Sequence, residues 1–158
     1  MAKKANITAQ FLVTDYACLQ ERVKTFEEIK SARVNFFLLI VGAVGAGISA
    51  AMQVQAVRDN AQIIILLSTI TLFLLGIATL QHSVNYSEAI VTIFRRSGRI
   101  RRWFLNENPK LAPFLVFEAA DNKPRFDINL SNLIWRGAEP VIIVLNSVLL
   151  TVALIMFF

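Results

Sequence analysis

Cys18 and His82 are the only cysteine and the only histidine in this chain of 158 residues, and they stand 64 positions apart. A lone thiol excludes an internal disulfide, and the pair is too sparse to assemble a zinc site or a Cys–His nucleophile. The unpaired thiol fits a reducing compartment. Proline is scarce as well: of four, Pro109, Pro113 and Pro124 crowd into one stretch and Pro140 stands apart, which leaves the rest free to form long helices. Charged residues make up 17% of the chain, against about 25% in an average soluble protein. No GxxxxGK[ST] loop, GxSxG elbow or HExxH pair is present. The string GAVGAG at 42–47 does not match GxGxxG and lies in an apolar run where phosphate cannot be cradled. Nor is there an internal repeat of the kind on which inverted-repeat transporters are built. The chain is therefore read as no enzyme, with no cofactor required by its sequence.

Apolar residues are what it has in excess, at 56% of the chain with a mean hydropathy of +0.57. Val34 to Gln53 is twenty residues without a charge, and at about 1.5 Å per residue a helix of that length covers the roughly 30 Å of bilayer hydrocarbon. Ile63–Leu80 and Pro140–Phe158 are likewise free of Asp, Glu, Lys and Arg. The expected fold class is an all-α integral membrane protein. It comprises an N-terminal amphipathic helix in 1–33, a transmembrane hairpin over 34–80 with spans at about 34–55 and 63–80, a basic helix and loop segment over 81–139, and a third transmembrane helix over 140–158. Lys3 and Lys4 precede about thirty mixed residues rather than an apolar core, so no cleavable signal peptide is read and the mature chain is expected to begin near Met1.

Within 8–33, Leu12, Tyr16, Leu19, Val23 and Phe26 alternate spacings of four and three, the pattern of one apolar helix face, with Thr8 a candidate N-cap. The stripe stops at Lys30. Packing against the 81–139 segment is the first reading of that face, ahead of self-association as a short coiled coil and of lying flat on a membrane. No Pro or Gly interrupts the chain between Thr8 and Gly42, so the first span is expected to continue the same helix.

Inside the first span, Gly42, Ala46 and Ala50 form one ridge of small side chains and Ala43, Gly47 and Ala51 a second. Small residues four apart let helix backbones approach closely in lipid, where dispersion and hydrogen bonds replace the hydrophobic effect as the force between helices. The neighbour on these ridges is expected to be the second span or another protomer. Val54–Gln62 reads as a short polar turn. In the second span Ser68, Thr69 and Thr71 are expected to bond back to their own helix, and Gly76 offers a further point of close approach. Asn146 is the clearest polar side chain of the third span and marks a packed face.

After Leu80 the apolar residues Tyr86, Ile90, Ile93, Ile100 and Phe104 keep helical spacing, with Gly98 a possible break. Arg95, Arg96, Arg99, Arg101 and Arg102 precede Trp103 and Phe104. Arginines beside aromatics suit an interface with anionic headgroups, and Trp103 and Trp135 read as interfacial anchors. An anionic small ligand or regulatory nucleotide is a second reading of the cluster, and single-stranded nucleic acid the weakest. Asn108–Phe126 is expected to be loop with at most a short helix around 111–119; Ser131 is a candidate N-cap and Pro140 suits a first helical turn. His82 is a low-ranking axial ligand for haem or a chlorophyll-like pigment, behind a headgroup or backbone contact.

Six Lys and Arg precede the first span, one lies between the first two and nine lie between the second and third, so fifteen of sixteen fall on one side. The positive-inside rule then places the N-terminus and 81–139 in the cytoplasm and the C-terminus across the cell membrane. The functional expectation is a small non-enzymatic membrane subunit that works through helix packing and self-associates or joins other membrane subunits. A membrane-perturbing or pore-forming effector governed by the basic segment is the alternative, and a subunit holding haem or pigment a second one.

Overall fold

The computed structural model describes residues 2–115, 117, 119 and 139–158. These are predominantly helical, with no strand among them: α1 (Ala2–Ala51), α2 (Gln55–Asp59), α3 (Ala61–Glu107), a 3-10 turn (Pro109–Phe114) and α4 (Glu139–Phe157). Three helices, α1, α3 and α4, are long and apolar enough to cross a membrane. At about 1.5 Å per residue the 50 residues of α1 extend roughly 75 Å, so only part of it fits within hydrocarbon.

The local chemistry explains most boundaries. α1 begins at Ala2, ahead of the Thr8 cap expected from sequence, because the intervening Ala and Lys residues are good helix formers. It ends near Ala51, and Val54 turns to extended backbone at φ −88° and ψ 125°. The 54–62 connection contains a short helix rather than a bare turn, since Gln55 to Asp59 contains neither Gly nor Pro. Arg58 closes the corner by donating from Nε and Nη2 to the Met52 carbonyl at 3.4 and 3.3 Å, which satisfies a carbonyl left over at the end of α1. α3 runs through Gly98 without a break and stops one residue before Asn108-Pro109, where the proline ring disfavours helix in the preceding residue. The Asn108 side chain then accepts from the Lys110 amide at 3.2 Å and caps the 3-10 turn, whose first position is Pro109. Pro140 sits in the first turn of α4, as its residue type favours.

The chain divides into two units, Met1–Glu28 with Asn85–Asp127 and Ile29–Val84 with Ile128–Phe158. In the first, α1 and α3 run antiparallel, since Gln20 meets Ser97 and Phe26 meets Tyr86. Its core is Leu19, Val23, Ile93 and Ile100, flanked by Leu12, Tyr16 and Phe26 from α1 and by Ile90, Phe94 and Phe104 from α3. The stripe read from sequence is thus packed inside this chain. Ser97 is fully buried in that seam and receives a hydrogen bond from Gln20 Nε2 at 3.2 Å.

In the second unit Val34, Phe37 and Ile142 are buried together, with Leu38, Val41, Leu75, Leu80 and Leu145 against them. Its outward faces carry Phe36, Leu39, Leu67, Leu74, Val144 and Leu154, all exposed. A water-facing surface of that size and composition is avoided in soluble proteins, whereas a multi-pass membrane protein presents it to lipid. Helix hydroxyls on this unit bond inward to their own backbone: Thr69, Thr71 and Thr79 donate to the carbonyls of Ile65, Leu67 and Leu75 at 2.7, 2.8 and 2.9 Å.

Candidate functional site: polar contacts and open faces of the apolar helices

The second unit holds its third helix by a line of polar and glycine contacts. At one end Glu139, the first residue of α4, is buried and accepts at Oε1 from Lys30 Nζ of α1 and from Ser83 Oγ of α3, the latter at 2.9 Å. One carboxylate oxygen therefore joins all three long helices. Seven residues further along α4, and seven back along α3, Asn146 lies against Gly76. A Cβ built on Gly76 would fall onto the Asn146 amide, within 2.6 Å of its Cγ, so only glycine admits this side chain. At the other end Gln62 Nε2 donates to the Met156 carbonyl at 2.7 Å, satisfying one of the last carbonyls of α4.

The other glycines behave differently. Gly42, Gly45 and Gly47 have nothing within 4 Å of the place a Cβ would take. Gly42, Ala43, Ala46, Gly47 and Ala50 are exposed, and Ala51 is half-buried. The second span does not occupy these ridges: α1 meets the rest of its unit through Val34, Phe37, Leu38 and Val41 instead. Large β-branched and aromatic side chains have more surface to bury there than Gly and Ala do, and they decide which face turns inward.

The five clustered arginines do not share one surface. Arg101 is buried, with its guanidinium 5.9 Å from the Tyr16 ring centre and 5.3 Å from that of Phe117. Arg102 donates from Nε to the Ala119 carbonyl at 3.1 Å. Arg95 is half-buried, and Arg96 and Arg99 are exposed. Trp103 is half-buried, edge-on to Phe104 at 5.0 Å. Trp135 and Ser131 lie outside the described residues. His82 is exposed on α3, and no three His, Cys, Asp or Glu side chains converge among the described residues.

No protein family, characterised protein or solved structure matches this chain.

The Lys30–Glu139–Ser83 cluster is the feature that sequence reasoning missed. Two local signals pointed to it: Lys30 stands where the apolar stripe of α1 stops, and Glu139 is the acid that immediately precedes the third apolar run. A charge placed at the edge of a charge-free segment is costly unless paired, which is a reason to look for its partner.

Proposed function

We propose that the protein is a small non-enzymatic integral membrane subunit that self-associates through the small-residue face of α1. One observation supports this above the rest: the ridge of Gly42, Ala43, Ala46, Gly47 and Ala50 faces outward with open space above its glycines, while the opposite face of the same helix is packed. Small residues exposed to lipid gain little, because acyl chains pack as well on Leu or Ile; against a second helix they allow backbone approach and close dispersion contact. With three spans, the distribution of Lys and Arg sets the N-terminus and the 81–139 segment in the cytoplasm and the C-terminus across the cell membrane. Exposed arginines of that segment then meet anionic headgroups.

The test is the native mass of the protein extracted with its surrounding lipid. A defined multimer that Gly47→Leu reduces to single chains, with helical content unchanged, is the expected result. A wild-type protein that is monomeric at every lipid ratio sinks the reading, and so does a multimer indifferent to Gly47→Leu and Gly42→Leu together.

A further inference from the structure

We propose that the groove between α1 and α3 in the first unit binds a phosphate-bearing anion, clamped between Arg22 and Arg96. The groove has a volume of about 340 Å³, at the small end of the range for ligand sites. Arg22 enters from α1 and Arg96 from α3, so two guanidinium groups distant in sequence open onto one space. Both are exposed, and neither makes an ion pair with any described residue. Phe26 and Ile93 form an apolar floor. Asn85 lines the same space and brings an amide with two donors, whereas Thr92 also lines it but already donates its hydroxyl to the Glu88 carbonyl at 3.1 Å. Guanidinium groups pair with phosphate oxygens through planar, two-point hydrogen bonds, and two of them reaching in from different helices supply donors for different oxygens of one phosphoryl group. Glu88 is the single acid lining the groove among the described residues, and its charge opposes any anion bound there. The groove shares no residue with the assembly face of α1, so either proposal stands if the other fails.

Phosphate of this kind comes either from a soluble monoester or from a lipid headgroup, and the experiment separates the two. The full-length protein is placed in nanodiscs of neutral phosphatidylcholine and titrated with AMP and with inorganic pyrophosphate, binding being read from phosphorus NMR line widths. A second preparation carries phosphatidic acid in place of part of the neutral lipid. Saturable broadening in the first arm assigns a soluble phosphate, and a displaced headgroup resonance in the second alone assigns the lipid. In whichever arm responds, Arg22→Gln and Arg96→Gln each weaken binding about tenfold or more, the scale of losing a hydrogen bond to a charged group. Glu88→Gln tightens it by roughly twofold to threefold through removal of a nearby like charge. Lys24→Gln, an exposed cation on the same helix, changes it little. No saturable response in either arm overturns the proposal, as does an effect of Lys24→Gln equal to that of Arg22→Gln, which is general charge attraction, or weaker binding in Glu88→Gln.

Discussion

The two faces of the apolar half of α1 are built from different materials and have different fates. One carries Val34, Phe37 and Val41, is turned onto its own chain, and lies in the same unit as a contact line in which Glu139, Asn146 and Gln62 each have an identifiable neighbour. The other carries Gly42, Ala43, Ala46, Gly47 and Ala50, all exposed, with no described atom within 4 Å of where a Cβ on Gly42 or Gly47 would sit. The glycines make the contrast sharp. Gly76 is filled by a neighbour and Gly47 is open, although both stand in charge-free apolar runs and only Gly47 has small residues, Ala43 and Ala51, four positions to either side. A small residue permits close approach; what comes close is decided by the shapes and charges elsewhere on both helices.

That contrast can be broken in graded steps, read as unfolding of the monomer in mixed detergent and SDS. The largest loss is expected from Lys30→Met, which leaves the buried Glu139 carboxylate without its cation and costs about 3–5 kcal/mol. Combining it with Glu139→Leu recovers most of that loss, because an apolar pair of similar volume avoids burying either charge. Gly76→Val comes next, at about 1–3 kcal/mol, since its Cβ collides with Asn146; adding Asn146→Ala vacates the space and restores stability toward the wild type. Ser83→Ala removes one hydrogen bond to Glu139 but keeps the ion pair, for about 1 kcal/mol. Gly47→Leu is last. It leaves monomer stability unchanged or raises it by up to about 1 kcal/mol, because the site is open and leucine is the better helix former. If Gly47→Leu unfolds the monomer as Gly76→Val does, the two faces are not different and the assembly proposal loses its basis.

Much of the architecture was legible in the residues. Three charge-free runs of helical length announce three apolar helices, and the Leu12–Phe26 stripe finds the complementary Ile90–Phe104 spacing because periodicity reports directly which face is buried. Thr69 and Thr71 bond to their own backbone as their residue type and setting require. The rest depended on pairing. Gly76 and Asn146 are each recognisable as packing positions, but that one fits into the other follows only from the register of α3 against α4. Lys30 and Glu139 are separated by 109 positions, with no repeat or spacing to connect them. The outward turn of the Gly42–Ala50 face was open for the same reason, as small side chains contribute too little contact energy to impose an orientation.

The spacing of the α3–α4 contacts constrains motion. Ser83 with Glu139 and Gly76 with Asn146 are seven residues apart on both helices. Sliding α4 by two turns toward the next equivalent register would bring Glu139 opposite Gly76, deep in apolar surroundings and far from Lys30, and would press Asn146 into the next layer of side chains. Shorter slides leave both pairs out of phase. Axial sliding of α4 therefore breaks both contacts in the same step, so its depth against α3 is set by the two pairs together and not by either alone.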